Sequence, residues 1–273
     1  MPATLFAHQA LVLPLKLRWP HRFSGLALCL GSMAPDLEFI GRMSDDWLFS
    51  HTLWAQLWFT VPVSLVLMWV VTRLLVPTLL PYLREITWLR LHDVAAIQAP
   101  SGARGWTVAA LSAWIGGVSH VVLDGITHGN HSGWLVPWLP VLRTLVPHFG
   151  GPVPLYDSLQ CWLTLLLGVA AVWQWRTISR DRLLWRWRAR DAEPARRMPR
   201  ASGLQLSAVC IVAAVQGGLV GRTLHSGASS KAMSAAVAFG AIDFVFVAVV
   251  LSAAFLRARY LSTCAIRTLS QQS

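Results

Sequence analysis

The sequence predicts an all-α fold, a polytopic membrane helical bundle of about five long spans preceded by an N-terminal helical hairpin. The first observation is composition, since 55% of the 273 residues are hydrophobic and only 13% are charged, which is typical of membrane proteins. The second is a set of apolar stretches long enough to cross a hydrocarbon core, which takes about 20 helical residues each. These five stretches lie at residues 52–72, 106–124, 158–175, 203–221 and 232–256.

The distribution of positive charge predicts the orientation of the spans. The net charge is +11, and nine arginines fall within residues 176–200, whereas the loop at 125–157 has one basic residue, Arg143. The positive-inside rule therefore places the loops at 73–104 and 176–200, and the C-terminus, in the cytoplasm. Because this bias already explains the basic composition, we expect no nucleic-acid partner.

The first fifty residues predict a hairpin rather than a full span. Two apolar runs, at 5–15 and 23–34, flank the basic residues Lys16, Arg18 and Arg22. Each run would form a helix of roughly 18 Å, which is short for crossing the bilayer. We expect the hairpin to enter from the outer side, with its basic tip toward the cytoplasm.

The chain divides by these features into three parts. Residues 1–175 form a membrane domain with the polar motifs, 176–202 a basic cytoplasmic loop, and 203–273 two further spans and a C-terminal tail. Asp243 lies in the middle of the last span, where a carboxylate is expected to face the bundle interior or water. It serves either a hydrogen bond to a neighbouring span or an ion pathway.

The second long span ends in an unusual polar stripe. His120, Asp124 and His128 follow at four-residue intervals after an uncharged segment at 105–123, so a continuing helix would stack them on one face. Ionisable groups at a membrane edge are costly and usually functional. Imidazole and carboxylate ligands together predict a site for a divalent metal ion, with zinc as the first choice. The alternative is a polar stripe that is hydrogen-bonded to neighbouring helices.

Other candidate ligands are predicted to reach the same membrane face. The hairpin returns His8 and the turn with Asp36 and Glu38 to the outer side, and His51 begins the first long span there. The predicted metal ligands are therefore His8, Asp36, His51, His120, Asp124 and His128, with Glu38 a weaker candidate. Asp36 and Glu38 are the predicted catalytic carboxylates, which would accept a proton from water. Taken alone, the turn with Asp36 and Glu38 could equally well be a simple helix-ending turn. His51 alone could be a histidine at the membrane interface.

With these residues identified, the chain resembles a family of bacterial membrane proteins, the domain of unknown function 4184 family. The resemblance covers about residues 1–175 and rests on motifs that follow one another in order. They are Met1-Pro2-Ala3-Thr4 through His8, Gly31-Ser32-Met33-Ala34-Pro35-Asp36, Ser50-His51-Thr52, Ser119-His120 with Asp124, Thr127-His128, Gly133-Trp134, and Tyr156 with Gln160. The resemblance implies a multi-pass protein of the bacterial inner membrane.

More distantly, the pattern is similar to inner-membrane proteins described as predicted metal-dependent hydrolases. That group has an early His, a Pro-Asp turn, a Thr-His-Ser-like element and a later His/Asp cluster. This chain departs from it with Ser-His-Thr at 50–52, and with Glu38 where an Asp-x-Asp form would place a second aspartate. The resemblance therefore supports a metal site more than it supports a particular reaction.

The function expected from the sequence is metal-dependent hydrolysis at the outer membrane face. The substrate would be an amphipathic ester, phosphoester or amide, reached from the lipid bilayer, and the oligomeric state is left open. The chain contains no Gly-x-Ser-x-Gly elbow, His-Glu-x-x-His motif or Walker A loop, which argues against those enzyme classes. The alternative is a non-catalytic, ion-binding membrane transporter or assembly factor.

Overall fold

A computed structural model of the chain describes residues 7–42, 49–80, 88–188, 200–224 and 230–270. Five of its helices are long and apolar enough to cross a membrane. They are Gln56–Leu79, Gly102–Thr127, Leu155–Arg180, Ser207–Leu224 and Ala236–Ala258. Each overlaps one predicted apolar stretch, and the predicted all-α membrane bundle is confirmed.

Nine helices follow one another in the described part of the chain. The helices are α1 (Gln9–Arg18), α2 (Gly25–Met33), α3 (Asp36–Arg42), α4 (Gln56–Leu79), α5 (Gly102–Thr127), α6 (Leu155–Arg180), α7 (Leu183–Arg186), α8 (Arg200–Leu224) and α9 (Ser230–Ser270). Single 3₁₀ turns lie at Phe49–His51, Leu91–Ala96 and Pro140–Arg143. A small antiparallel sheet pairs β1 (Leu145–Val146) with β2 (Val153–Pro154).

The chain forms two compact units. One unit comprises Met1–Met68 and Pro100–Leu183, and it contains every predicted metal ligand. The other comprises Trp69–Ala99 and Leu184–Ser273. Its helices α8 and α9 pack backbone to backbone, because a Cβ on Gly217 would collide with the carbonyl of Gly240. The arginines 190, 196 and 197 of the predicted basic loop lie outside the described residues.

Helices α1 and α2 form the hairpin that the sequence predicts, although the first six residues of the chain lie outside the described part. The Lys16 Nζ donates to the Phe23 carbonyl at 2.9 Å and closes the turn. Ser24 caps α2, its Oγ accepting from the Ala27 N–H at 3.3 Å. The Ser24 N–H donates to the Ser112 Oγ at 3.0 Å, so the hairpin turn lies beside the middle of α5.

Glycines bring α2 and α5 into direct backbone contact. A Cβ on Gly31 would collide with the Ala113 carbonyl, and one on Gly116 would collide with the Leu28 carbonyl. Small residues at such positions allow helices in a membrane to approach closely. The consequence for the site is specific, because this contact brings the carbonyl of Ser32 against His120.

The segment after α5 folds back over the end of that helix. The Leu135 N–H donates to the Gly125 carbonyl at 3.1 Å, and the Trp134 Nε1–H donates to the Val121 carbonyl at 3.2 Å. The small β1–β2 sheet follows and leads directly into α6. The segment after α5 is therefore a folded cap, which these two hydrogen bonds hold to the end of that helix.

Candidate metal centre

Four side chains from three segments converge at one end of α5. Asp36 begins α3, His51 ends the 3₁₀ turn before α4, and His120 and Asp124 lie one turn apart on α5. One ligand atom from each lies within 4.8 Å of all the others. His120 is fully buried, and His51 and Asp124 are each 5% exposed. This buried Asp/His/His/Asp group could hold a metal ion.

The distances within this group suit a tetrahedral ion. The Asp124 Oδ2 lies 3.3 Å from the His51 Nε2 and 3.2 Å from the His120 Nε2. The Asp36 Oδ1 lies 3.7 Å and 3.5 Å from the same two nitrogens, which are 3.3 Å apart. Ligands about 2.0–2.1 Å from a tetrahedral zinc ion are roughly 3.4 Å from one another. These five of the six pairwise distances are thus close to the spacing that such an ion requires.

A backbone carbonyl determines which nitrogen of His120 faces the group. The His120 Nδ1 lies 2.8 Å from the Ser32 carbonyl oxygen, which can only accept a hydrogen bond. The Nδ1 therefore carries the proton, and in the neutral ring the Nε2 lone pair points toward the two carboxylates. Metal-binding histidines are commonly oriented by such a hydrogen bond from the other ring nitrogen.

Ser50 orients His51 in the same way. The Ser50 Oγ donates to the Pro35 carbonyl at 2.8 Å, which uses the single proton of the hydroxyl. The same oxygen lies 3.1 Å from the His51 Nδ1, so it accepts the proton carried there. His51 therefore also presents its Nε2 lone pair to the group.

The centre of the group consists only of electron-pair donors when both histidines are neutral. Two imidazole lone pairs and two carboxylates face one another in a buried space, which is costly without a compensating positive charge. A divalent cation compensates all four, and two nitrogen with two oxygen ligands suit zinc. Protons shared among the four groups are the alternative compensation.

A second set of polar side chains holds the turn that contains His51. The Gln56 Nε2 donates to the carbonyls of Ser50 at 2.7 Å and Thr52 at 2.8 Å. Thr60 in turn donates to the Gln56 Oε1 at 2.8 Å. Gly117 makes room for this pair, because a Cβ there would collide with the Gln56 Oε1. Sequence reasoning missed these residues, although Gln56 and Thr60 are polar and four apart in an otherwise apolar span.

Glu38 lies beside this turn and outside the four-residue group. Its Oε2 accepts the Ser50 backbone N–H at 2.7 Å, and its Oε1 accepts from Arg42 at 3.2 Å. Burial raises the pKa of the Glu38 carboxyl, but these hydrogen bonds outweigh it and leave the pKa below its usual value. The contacts give Glu38 a positioning role for the His51 turn. Its role as a proton acceptor stays a prediction.

His8 is in direct contact with the group. Its ring stacks on that of His120, with centroids 4.1 Å apart, and its Nε2 lies 3.6 Å from the Asp124 Oδ1. Burial, together with the neighbouring His120, lowers the pKa of His8 to about 4, so the ring is neutral. Among the described residues its buried Nδ1 has no hydrogen-bond partner. His8 therefore lies next to Asp124, at the edge of the four-residue group, as expected if it reaches the same membrane face as the other candidate ligands.

His128 also lies at the margin. Its Nδ1 is 3.6 Å from the Asp124 Oδ1 and 3.1 Å from the Thr127 Oγ1. That hydroxyl donates to the Leu123 carbonyl, so the His128 Nδ1 carries a proton. The Gln160 Nε2 lies 2.9 Å from the His128 Nε2 and donates to it. Both ring nitrogens are thus engaged, and the structure gives His128 contact with Asp124 through a proton rather than through a lone pair.

A small pocket opens beside Asp124 and provides space next to the group. Its apolar lining includes Leu123, Leu163 and Leu167, and its polar lining residues are His8, Asp124, Thr127, His128, Gln160 and Thr164. Its volume of about 10 Å³ is close to that of a single water molecule.

Comparison with known proteins identifies a family and no characterised relative. The model of a family described as a domain of unknown function, DUF4184, matches residues 1–256. No curated protein and no solved structure matches the chain.

Proposed function

Since the chain belongs to the DUF4184 family, a domain of unknown function, we propose from its own residues that it is a membrane-embedded, metal-dependent hydrolase. The observation that carries the proposal is the convergence of Asp36, His51, His120 and Asp124 on one point, with five of their six pairwise distances near tetrahedral spacing. Both histidines have a proton fixed on the nitrogen that faces away from that point. Zinc is the metal that best matches these ligands.

When bound, a divalent metal would supply a coordinated water of lowered pKa, so that hydroxide would be available near neutral pH. In the reaction, His51, His120 and Asp124 would hold the ion and leave one position to water. Asp36, whose side chain is the most exposed of the four at 16%, would accept the proton of that water. The water oxygen bonds to the carbonyl carbon or phosphorus of the substrate. The ester, phosphoester or amide bond breaks, and the leaving oxygen or nitrogen takes the proton.

The surroundings of the centre favour an amphipathic substrate. Beside Asp124, leucine side chains lie next to imidazole and amide groups, so a substrate that approaches the centre from this side would meet both apolar and polar groups. From the charge distribution of the sequence we place the centre at the outer face of a bacterial inner membrane. The arginine-rich loop and the C-terminus are then cytoplasmic.

Hydrolysis in mixed micelles tests the proposal. Purified protein would be incubated with three lipids that contain a carboxylic ester, a phosphoester and an amide. We expect at least one to be hydrolysed, with activity lost in a chelator, restored by zinc, and abolished in His51→Ala. Ser64→Ala, a substitution at a buried serine whose hydroxyl has no hydrogen-bond partner among the described residues, should retain activity.

Bound metal without hydrolysis of any of the three lipids would contradict the enzyme. Ion flux into proteoliposomes, lost in the same His51→Ala variant, would then favour the transporter. A retained ion with neither flux nor hydrolysis would favour the assembly factor, since an ion with all positions filled by protein is structural.

A further inference from the structure

A second and larger cavity lies in the cap that follows α5. It has a volume of about 330 Å³. Its lining is Gly129, Asn130, Gly133, Val136, Pro137, Arg143, Pro154 and Tyr156, and we call it the headgroup pocket. These eight residues include one cation and no acid, and their polar side chains are a guanidinium, an amide and a phenol. The pocket therefore favours an anionic ligand.

The backbone around Arg143 is fixed by local structure. Arg143 ends the 3₁₀ turn Pro140–Arg143 and lies two residues before β1. Between them, the Thr144 carbonyl accepts the Leu155 N–H at 2.9 Å, which ties this point to the start of α6. A cation on a fixed backbone loses less conformational freedom when it binds a ligand.

The headgroup pocket contains hydrogen-bond donors that have no partner among the described residues. Within the described residues, the Arg143 guanidinium and the Tyr156 hydroxyl make no hydrogen bond or ion pair. Asn130 uses its Oδ1 to accept the Ser132 N–H, which leaves its amide nitrogen to donate. A guanidinium matches the geometry of a phosphate, to which it can donate two parallel hydrogen bonds.

The surface around the pocket fits a bilayer interface. Trp138, Leu145 and Phe149 belong to the same cap, and they are 78%, 69% and 86% exposed. Large exposed apolar side chains in one region usually mark an interaction surface, and tryptophan is enriched at the level of lipid headgroups. We therefore expect an anion held at this surface to belong to a lipid headgroup.

The headgroup pocket adjoins the metal centre through the chain itself. Gly129 directly follows His128, and Tyr156 lies one turn before Gln160, which donates to His128. Gly129 and Tyr156 are in close contact, since a Cβ on the glycine would collide with the phenol. The pair His128 and Gln160 lines the small pocket beside Asp124, so the two pockets are lined by residues that are neighbours along the chain.

We propose that the headgroup pocket binds the phosphate of a membrane lipid, with Arg143 as its main ligand. Phosphate-bearing lipids are then the substrate class of the metal centre, and the bond cleaved there is an ester bond of the bound lipid. The substrate role rests on the proposed hydrolase function, whereas the binding role does not.

Equilibrium binding in dodecyl maltoside micelles tests the pocket. The probes are phosphatidic acid, diacylglycerol with the same acyl chains, and inorganic phosphate. We expect wild type to bind phosphatidic acid more tightly than diacylglycerol, and Arg143→Gln to weaken that binding roughly tenfold or more, as for a lost charged hydrogen bond. Arg143→Lys should fall between them. Arg104→Gln, at an exposed arginine near the other end of α5, should bind like wild type.

Two results would overturn the proposal. One is equal binding of phosphatidic acid by wild type and Arg143→Gln, with both proteins eluting as single folded species. The other is displacement of phosphatidic acid by inorganic phosphate at equal concentration, which would assign the pocket to a soluble anion. Tyr156→Phe, which keeps the ring and removes one donor, provides the comparison if Arg143→Gln fails to fold.

Metal analysis of the same preparations separates this proposal from the hydrolase. Loss of lipid binding in Arg143→Gln with unchanged metal content supports the pocket. If Arg143→Gln loses lipid binding but neither wild type nor variant contains metal, the headgroup pocket is supported and the proposed hydrolase function is contradicted. Metal-dependent hydrolysis that is unchanged in Arg143→Gln would support the hydrolase function and contradict the role of the headgroup pocket in substrate binding.

Discussion

At the scale of single residues, the second nitrogen of each histidine determines what the site can bind. His120 and His51 each donate from Nδ1 to a fixed acceptor, Ser32 and Ser50 respectively. Their Nε2 atoms are therefore available to a metal without any change of tautomer. A protonated pair would have to place additional hydrogens between atoms that are already 3.3 Å apart.

Replacement of Ser50 by alanine should weaken metal binding by roughly 10–100-fold, the usual effect of removing a group that orients a ligand. The substitution removes the acceptor for the His51 Nδ1–H and leaves that donor buried. The measurement is zinc affinity by competition with a chromophoric chelator. Ser64→Ala is the matched control, since the Ser64 hydroxyl is buried and without a partner in the described part of the chain. Equal affinities in the two variants would show that Ser50 does not position His51.

The sequence predicted the ligands of α5 better than their neighbours. His120 and Asp124 follow from four-residue spacing on one helix. The same rule predicted that His128 would continue the stripe, but α5 ends at Thr127 and His128 adopts extended backbone angles, φ −120° and ψ 141°. Its side chain therefore leaves the stripe and meets Gln160. The positioning role of Glu38 depends on a contact between separate segments, which spacing along the chain does not encode.

At the scale of elements, glycine contacts between α2 and α5 hold the ligands together. Gly31 and Gly116 let the backbones touch, and the Ser32 carbonyl then reaches His120. The hairpin could be predicted because two short apolar runs flank a basic turn. The register of α2 against α5 could not, because glycines are common in membrane helices and their spacing alone does not identify the partner.

Gly31→Ala should lower the stability of the protein in detergent by about 1–3 kcal/mol, the usual cost of an overpacked contact. The added methyl group has to displace the Ala113 backbone. Thermal unfolding in detergent measures the effect, and zinc affinity should fall with it. Gly168→Ala is the control, because no atom lies within 4 Å of a Cβ at that helical position. An unchanged unfolding midpoint for Gly31→Ala would argue against the close contact.

At the scale of the whole molecule, the distribution of basic residues predicts one orientation in the membrane. The residues at 176–200 should be cytoplasmic, and those at 129–157 external. In a variant without native cysteines, Gly150→Cys should react with an impermeant maleimide in intact spheroplasts. Ala195→Cys should react only after permeabilisation. Reversed labelling would overturn the orientation and place the metal centre at the cytoplasmic face.

Measurement of metal content tests whether Asp36, His51, His120 and Asp124 hold a metal ion. Wild type, Asp124→Ala and Asp157→Ala would be purified identically in detergent, equilibrated with zinc and analysed by mass spectrometry. Asp157 is an exposed acid in the first turn of α6 and serves as the control. We expect one divalent ion per chain in wild type and Asp157→Ala, and none or far weaker binding in Asp124→Ala, with all three inserted in the membrane. No metal in wild type, or unchanged stoichiometry and affinity in Asp124→Ala, would contradict the metal centre and leave four side chains that share protons.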